Sequence, residues 1–329
     1  MSQRDLSEDR ICPVCGHAAI VTRQWLGEDI HRVLARTLDA VQPLQTPLAN
    51  YALACCQACS LEFAIPLQEP GADFYAWLTA NGFAYPADRW EWQMAQLVAQ
   101  QPQIPTLSGA QHLSILDVGC GSGAFIEQIN QTPFLTAIGI DHNAEVVAAC
   151  QARGLQVHRL TLEEVAVRYP DGFSIVTLWH VVEHVADPVG VLHRALSLVG
   201  KEGLVLFSVP VSPLSYESLW PDPFNLPPHH LTRWNSQSIA ALGRRLQCTV
   251  RVQMPAAKGL LHRMIRALTL AECAGRRRST LARCCDFLVA LVRSPKRLVA
   301  EYRRQRLRVS ADGQPLADVM LVQLSRRRF

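Results

Sequence analysis

The stretch DVGCGSGAF, residues Asp117 to Phe125, decides the fold of this 329-residue chain. Its three glycines, Gly119, Gly121 and Gly123, alternate with other residues directly after the apolar segment LSILDV. Glycine permits a positive φ and lets the backbone approach a ligand without a Cβ in the way. A glycine-rich turn of this kind, placed between a buried strand and a helix, therefore predicts a ligand-binding turn.

Apolar segments alternate with helical patterns on both sides of this turn. Strands are predicted at LSILDV, LTAIGID, LQVHRL, FSIVTLWH and GLVLFSVP, with helices at GAFIEQIN, AEVVAACQARG, LEEVAVRY and PVGVLHRALSLV. Residues 235–246 predict a further helix, 247–253 the sixth strand and 316–324 the last strand. Strands alternating with helices of this length form a parallel sheet that is covered on both faces. The predicted class is α/β, with a Rossmann-like, mostly parallel, seven-stranded sheet.

The residues around the turn distinguish among the ligands that bind such turns. A triphosphate is excluded because no Gly-Lys-Ser/Thr follows the glycines. Asp141 ends the second strand eighteen residues after Gly123, where a carboxylate can accept hydrogen bonds from ribose hydroxyls. The spacing G-x-G-x-G differs from the G-x-G-x-x-G of dinucleotide sites. Asp117 would repel a pyrophosphate but suits a ligand with an ammonium and a sulfonium group, which favours S-adenosylmethionine.

From about Leu113 to Pro210 the sequence resembles the class I S-adenosylmethionine-dependent methyltransferases, in a methyltransferase-23-like branch. LDVGCGSGAF matches the first motif of that family, IGIDHNAEVVAAC the second, and LWHVVEHVADP the segment after the fourth strand. The resemblance implies that the chain is an enzyme that binds S-adenosylmethionine. The cofactor-binding residues that it implies are Asp117, Gly119, Cys120, Gly121, Gly123, Asp141, His142, Thr161, Leu162 and Trp179. Within this set, Asp117, Gly119 and Gly121 would meet the methionine part, Asp141 the ribose, and Thr161 with Leu162 the adenine.

The stretch WPDPFNLPPHHLTRW, residues 220–234, follows the fifth strand on the ligand-facing side of the sheet. Its prolines and aromatic residues predict a fairly rigid lid that presents His229 and His230. Histidine suits proton transfer because its pKa lies near neutral pH. We expect His229 or His230 to act as a general base or to orient the acceptor, with a structural role as the alternative. PPHHL also resembles a branch of methyltransferases with an N-terminal zinc ribbon, often found among enzymes of saccharide or natural-product modification.

A second histidine-containing segment, HVVEH, follows the fourth strand and contains His180, Glu183 and His184. If this turn is helical, His180 and His184 share one face, and Glu183 could join a metal site with either of them. The alternative is that Glu183 and His184 stabilise the turn beside the cofactor. His184 is the third candidate catalytic residue. Asp187, directly before a proline, is predicted to cap the next helix.

Two cysteine turns near the N-terminus predict a zinc site. CPVC contains Cys12 and Cys15, and CQAC contains Cys56 and Cys59, about forty residues later. Two such turns form a closed tetrahedral site whose four thiolates leave no position for a substrate, so the zinc would be structural. Cys55 is left over. The alternatives are reduced core cysteines or a redox pair.

The segments that flank the cysteine turns predict a small zinc-ribbon module. Strands are expected at AAIVTRQW, YALACC and LEFAIP, and GEDIHRVLARTLDAVQ has the spacing of an inserted helix. His17 and His31 are possible substitute ligands, although exposed surface positions are the simpler expectation. Tyr85, Trp90 and Glu91 are expected on a helix that leads into the catalytic domain, where they either line the acceptor side or pack in the core.

Residues 258–309 contain fourteen Lys and Arg against three acidic residues, so this segment carries +11 and the rest of the chain about −7. KGLLHRMIRALTL and TLARCCDFLVALVRSPKRLVAEYRRQRLR predict long amphipathic helices, the second broken at Pro295, with Cys284 and Cys285 on an apolar face. A solvated helical hairpin inserted before the last strand is the first expectation. Peripheral membrane contact through these basic helices is the second, and nucleic-acid binding the third.

The eleven cysteines, the polar first ten residues and the lack of an apolar run near 18 residues predict a soluble, cytoplasmic protein. The predicted organisation is a zinc-ribbon module (1–70), a helical linker (71–112), a cofactor-binding domain (113–256), a basic helical insertion (257–315) and a final strand (316–329). The predicted function is methyl transfer from S-adenosylmethionine to a small-molecule or glycan-linked acceptor, such as a saccharide or natural product. A zinc-finger-containing RNA methyltransferase and a non-catalytic binding protein of the same fold are the alternatives, although nucleic acid is not the expected partner.

Overall fold

The architecture is given by a computed structural model of the chain. Three residues named in the sequence predictions, Tyr85, Cys284 and Cys285, lie outside the part that it describes. The part of the predicted second basic helix that precedes Pro295 also lies outside it. The first nine residues also lie outside it. The described residues are 10–83, 88–101, 112–273, 295–309 and 316–327.

A four-stranded antiparallel sheet carries the two cysteine turns. Its strands, in spatial order, are β1 (Ala19–Trp25), β2 (Tyr51–Cys56), β3 (Glu62–Ile65) and β9 (Thr232–Arg233). The first three strands confirm the predictions around the cysteine turns, and the predicted helix between them is α1 (Gly27–Leu38). The fourth strand comes from a segment more than 160 residues later in the chain, so the N-terminal sheet is completed by the chain that follows the larger sheet's fifth strand.

The second sheet confirms the predicted Rossmann-like α/β fold. Its strands are β4 (Leu113–Val118), β5 (Leu135–Ile140), β6 (Val157–His158), β7 (Phe173–Trp179), β8 (Val199–Pro210), β10 (Cys248–Gln253) and β11 (Val319–Arg326). They lie in the order β10-β11-β8-β7-β4-β5-β6. Strand β11 is antiparallel to both neighbours, and the ladders from β8 to β6 are all parallel.

The strand predicted at LQVHRL is shorter in the structure than in the sequence prediction. Only Val157 and His158 form β6, because they pair with Gly139 and Ile140 at the edge of the sheet. After His158 the chain turns toward the next helix.

Four of the described α-helices, those that begin at Ala144, Leu162, Pro188 and Ser236, have side-chain N-caps. Asn143 accepts hydrogen bonds from the second and third residues of its helix, and Asp187 accepts one from Gly190, as its place before a proline predicted. Thr161 and Glu164 form a capping box. The further helices are α2 (Ala72–Ala80), α3 (Trp90–Ala99), α4 (Ala124–Asn130), α5 (Ala144–Ala152), α6 (Leu162–Arg168), α7 (Pro188–Ser197), α8 (Ser236–Arg245), α9 (Leu260–Cys273) and α10 (Pro295–Leu307).

The stretch 220–234 was predicted to be a fairly rigid lid that presents His229 and His230, and in the structure both histidines line the cavity from a largely buried segment. Leu231 and Trp234 are fully buried, and His229 is 4% exposed. Leu231 donates a backbone hydrogen bond to Glu183 and accepts one from Ala64 of β3, both at 2.7 Å. The apolar side chains and these backbone bonds fix the stretch as a wall between the two sheets, which we call the histidine wall (residues 224–231).

The basic helices α9 and α10 pack against the body of the protein along one face. Met264, Ala267 and Leu268 of α9 are buried, and so are Glu301 and Gln305 of α10. The described part of the insertion is therefore not a hairpin solvated on all sides, because its apolar face covers the chain after β8. Among the described helices, none is long and apolar enough to cross a membrane.

Candidate functional site

A single cavity of about 620 Å³ lies at the carboxyl ends of β4, β5, β7 and β8. Its volume is in the range of pockets that hold small ligands. One end is lined by the glycine turn and the chain after β5, and the other end by the histidine wall. Residues predicted to bind a cofactor and residues predicted to act on an acceptor therefore share one space.

The glycine turn has the backbone conformation that its composition predicted. Gly119 and Gly121 have φ values of +67° and +51°. A Cβ on Gly119 would lie 2.8 Å from the Cγ2 of Val181, so a side chain there would clash. A Cβ on Gly121 would meet nothing within 4 Å, because this residue faces the cavity. Gly119 thus lets the turn pack closely against Val181, and Gly121 leaves open space beside the backbone.

Asp141 connects the glycine turn to the end of β5. Its two carboxylate oxygens accept hydrogen bonds from the backbone amides of Gly121, at 3.0 Å, and Asn143, at 2.9 Å. Asp141 and His142 both line the cavity, and the His142 side chain is largely exposed. Each oxygen keeps a second lone pair, so the carboxylate can still accept hydrogen bonds from a ligand.

Three of the predicted cofactor residues do not line the cavity. The Thr161 side chain caps α6, and Leu162 is 8% exposed and packs in the main core. Gly123 begins α4, and a Cβ there would lie 2.7 Å from Leu155. Local helix capping and packing account for these positions, so their predicted contacts with a cofactor stay predictions.

Asp117 lies buried at the end of β4 and lines the cavity. Burial, opposed by a hydrogen bond from Thr177 and aided by the nearby Asp141, raises the pKa of its carboxyl to about 8. A buried carboxyl with so high a pKa carries a proton at neutral pH. A cationic group placed beside it would restore the ionised form.

Trp179 supplies the other polar group of the cofactor half. It is 8% exposed and lines the cavity, and its indole Nε1 has no hydrogen-bond partner among the described residues. Cys120 lines the cavity next to it in the same half. A buried donor without a partner is costly, so a ligand that accepts its hydrogen bond would stabilise this part of the site.

His184, His229 and His230 lie together at the other end of the cavity. Their ring centroids are 4.6 to 4.8 Å apart. Burial lowers the pKa of all three imidazoles, that of His229 to about 3. They are therefore neutral at physiological pH. Neutral imidazoles accept hydrogen bonds or bind metal ions, and a pKa near 3 makes His229 a weak proton acceptor.

His180 does not share a helix face with His184, because the chain after β7 forms a turn rather than a helix. The φ of His180 is +54°, an uncommon conformation for a residue with a side chain. Its imidazole lies between Glu183, at 2.9 Å, and Glu91, at 3.0 Å. Burial alone would lower the pKa of His180, but these two carboxylates outweigh it and raise the pKa.

Four cavity residues were missed by the sequence analysis. The Arg266 guanidinium lies 4.6 Å from the ring centroid of Tyr216 and 3.3 Å from Asp318. The Tyr216 hydroxyl donates to Asp222 at 2.9 Å. No local sequence motif predicts this cluster, because its members come from α9, the chain after β8 and the start of β11. The excess of Lys and Arg in residues 258–309 was the only feature of the sequence analysis that included Arg266.

The four predicted cysteine ligands form one cluster. The Sγ atoms of Cys12, Cys15, Cys56 and Cys59 lie within 4.8 Å of one another, with the closest pairs at 3.4 to 3.6 Å. Four thiolates at 2.3 Å from one zinc ion would be about 3.8 Å apart. The cluster therefore fits zinc. Cys55 is not part of it, and neither is His17 or His31.

The cysteine cluster also has the electrostatics of a metal site. Burial raises the pKa of Cys12 to about 11 and that of Cys59 still further. Burial would also raise the pKa of Cys56, but hydrogen bonds from the backbone amides of Cys59 and Ala58 and from neighbouring thiols lower it to about 7. Buried thiols close together resist ionisation, and a cation between them would remove that cost.

The sequence profile of a family described as a methyltransferase domain matches residues 87–253, just over half of the chain. The chain therefore belongs to this family of methyltransferase domains. The seven-stranded Rossmann-like sheet and the glycine turn after β4 agree with the resemblance to class I methyltransferases noted from the sequence.

Curated relatives match the chain over about a third of its length. A protein named ubiquinone biosynthesis O-methyltransferase, from Colwellia psychrerythraea, is 31% identical over 122 residues, which are 35% of this chain and 49% of that protein. A protein of the same name from Klebsiella pneumoniae is 36% identical over 100 residues, which are 29% of this chain and 41% of that protein. The chain thus spans about half the length of these relatives or less.

Solved structures are similar to the chain at low sequence identity. A SAM-dependent methyltransferase from Archaeoglobus fulgidus has a TM-score of 0.49 and 16% identity, with 77% of this chain and 100% of that chain covered. The YcgJ protein of Bacillus subtilis has a TM-score of 0.44 and 16% identity, with 73% of this chain and 99% of that chain covered.

Proposed function

We propose that the protein transfers a methyl group from S-adenosylmethionine to a small-molecule acceptor, such as a saccharide or a natural product. The observation that carries this proposal is the single cavity that joins the glycine turn and Asp141 to the histidine wall. Such a cavity lets a cofactor and an acceptor meet without solvent between them, and positioning alone supplies much of the rate of a two-substrate reaction.

The residues of the cofactor half fit S-adenosylmethionine. Asp141 would accept hydrogen bonds from the ribose hydroxyls, and Asp117 would pair with the ammonium of the methionine part. The absence of a side chain at Gly121 leaves room for the ligand beside the backbone. When bound, S-adenosylmethionine supplies a methyl group on a positively charged sulfur, which is a good leaving group.

The histidine wall would hold the acceptor. Among the described residues, no partner is found for the Nε2 atoms of His184, His229 and His230, so these atoms can accept hydrogen bonds from an acceptor. Their lowered pKa values favour the orienting role over that of a general base, because a weak base holds a hydroxyl without removing its proton. The named relatives are O-methyltransferases, which supports a hydroxyl group as the acceptor.

The modules outside the cavity have supporting roles in this proposal. Zinc bound by Cys12, Cys15, Cys56 and Cys59 would fix the N-terminal sheet, which packs against the histidine wall through β9. Helix α9 closes the cavity with Arg266. The basic residues of the segment 258–309 would make any contact with an anionic membrane surface, and we propose the cytoplasm as the location of the enzyme.

Calorimetric binding of S-adenosylmethionine and S-adenosylhomocysteine tests the proposal. We expect binding in the micromolar range to the intact protein and its loss in Asp141→Ala. Asp171→Ala is the matched control, because Asp171 is exposed in the turn before β7 and does not line the cavity. Saccharide and natural-product acceptors are then screened with labelled cofactor. A folded protein that binds neither ligand would contradict the proposal, and salt-sensitive retention of RNA would favour an RNA acceptor instead.

A further inference from the structure

We propose that His184, His229 and His230 form a second metal site, which binds one divalent transition-metal ion at the acceptor end of the cavity. This site is separate from the cysteine cluster in sequence, position and ligand type. The proposal that an ion binds here rests on the geometry of the three histidines alone. Its suggested role toward an acceptor rests on the proposed function.

The three imidazoles are close enough to share an ion. One ring nitrogen from each of the three residues lies within 4.8 Å of a ring nitrogen of the other two. Three nitrogens at 2.0–2.1 Å from a tetrahedral zinc ion are about 3.3 Å apart. The ring nitrogens would thus need to approach one another by about 1.5 Å at most.

Hydrogen bonds fix the orientation of each ring. Nδ1 of His184 lies 2.5 Å from the backbone carbonyl of His229, and Nδ1 of His229 lies 2.8 Å from that of Phe224. Nδ1 of His230 lies 3.0 Å from the side-chain oxygen of Asn225. Carbonyl and amide oxygens only accept, so each Nδ1 carries the proton and each Nε2 keeps its lone pair. Metal-bound histidines in proteins have this arrangement, with an oxygen on the nitrogen that does not bind the ion.

The charge around the three histidines also favours a cation. Neighbouring Glu183 is fully buried, and its Oε2 has no hydrogen-bond partner among the described residues. Its Oε1 is engaged by His180. A carboxylate oxygen buried without a partner is costly, and a dication close by would offset that cost.

The ligand set indicates the class of ion. Imidazole nitrogen suits zinc, copper, iron and nickel, whereas magnesium and calcium prefer oxygen ligands. Three protein ligands leave at least one coordination position open, unlike the four thiolates of the cysteine cluster. Because all three histidines line the cavity, the open position faces the space that an acceptor would enter. An acceptor oxygen bound there would be held by the ion.

Cobalt titration of the intact, zinc-loaded protein tests the site without S-adenosylmethionine or acceptor. We expect one equivalent of Co²⁺ to bind, with visible d–d absorption and no thiolate-to-cobalt charge-transfer band. His184→Gln and His229→Gln should weaken this binding at least tenfold. His193→Gln, which removes an exposed histidine from α7, should bind cobalt like the wild type.

Cobalt-edge X-ray absorption of the wild type counts the imidazole ligands directly, so the result does not depend on the folding of the variants. Three imidazoles support the site. A folded wild type that takes up no second equivalent, or cobalt bound by fewer than two imidazoles, overturns it. Cobalt binding with no affinity for S-adenosylmethionine would leave the metal site standing and contradict the proposed function. Binding of S-adenosylmethionine without a second equivalent of cobalt would leave the proposed function standing and contradict the metal site.

Discussion

The hydroxyl of Thr177 donates a 2.7 Å hydrogen bond to the Asp117 carboxylate inside the parallel sheet. This bond only partly offsets the burial that raises the pKa of Asp117 to about 8. At pH 7 about nine in ten molecules therefore hold a proton there. If the ammonium of S-adenosylmethionine pairs with the ionised carboxylate, binding at pH 7 should release close to one proton. Calorimetry in buffers of different ionisation enthalpy measures this number.

The same pKa predicts how the stability of the ligand-free protein changes with pH. The folded state binds more protons than the unfolded state between the usual pKa near 4 and about 8. Stability should therefore fall as the pH rises through this window and level off above it. In Asp117→Asn this contribution, and the released proton, should both disappear. Equal proton release by the variant and the wild type would contradict the role of Asp117.

The cysteine cluster predicts which of two adjacent thiols is needed for zinc. The Cys56 Sγ lies 3.4 Å from that of Cys15, whereas Cys55 lies outside the cluster. Cys56→Ser should reduce the zinc content below one equivalent and lower the melting temperature. Cys55→Ser is the matched control, because it makes the same chemical change one residue away. Metal analysis of both variants shows which cysteine binds zinc. Loss of zinc in Cys55→Ser alone would assign Cys55, and not Cys56, as the ligand.

Sequence periodicity was enough to predict the sheet because each strand and helix is encoded locally. The segment LSILDV became β4 as predicted, since its residues are buried between neighbours on both sides. The segment LQVHRL gave only a two-residue strand, because a strand at the edge needs a partner that runs alongside it. The hydropathy pattern of a segment does not show where the neighbouring strand ends.

The arrangement of the site was less predictable, because it depends on segments that meet only after folding. His184 and His229 are 45 residues apart, and the backbone carbonyl of one fixes the ring of the other. Arg266 lies in a helix whose composition indicated a charged surface, yet it lines the cavity. Composition also predicted a fairly rigid lid at 220–234, but not that Thr232 and Arg233 at its end pair with β3. Contacts of this kind leave no local pattern in a single sequence.

A buried ion pair predicts a large loss of stability. The Arg233 guanidinium contacts Glu217, with both side chains almost fully buried, and lies 3.2 Å from Glu62 of β3. Removing the cation in Arg233→Met would leave the Glu217 carboxylate buried without its partner. We expect a loss of about 3–5 kcal/mol in the free energy of unfolding, measured by urea denaturation.

An exposed ion pair provides the control for that measurement. Arg194 and Glu163 lie 3.1 Å apart, with 40% and 65% of their side chains exposed. Arg194→Met should cost less than about 1 kcal/mol, because water screens the pair and solvates the remaining carboxylate. Similar losses in the two variants would show that the burial of Arg233 does not determine its contribution.

The last prediction concerns His180, whose imidazole bridges Glu91 of α3 and Glu183 of the turn after β7. Because these carboxylates raise the pKa of His180 against the effect of burial, Glu91→Gln should lower that pKa. Since the folded pKa lies above the unfolded value, the pair stabilises the protein at acidic pH, and this contribution is lost as the pH rises through the folded pKa. In Glu91→Gln the loss should occur at lower pH.

Nitrogen chemical shifts of the His180 ring, followed by NMR over a pH titration, measure the change directly. Glu127→Gln is the control, because Glu127 pairs with Arg153 on the surface and should leave the titration of His180 unchanged. An unaltered pKa in Glu91→Gln would mean that Glu183 alone holds the imidazolium. The helix α3 would then contribute packing to the cavity wall but no charge, and the positive φ of His180 would be maintained by the turn itself.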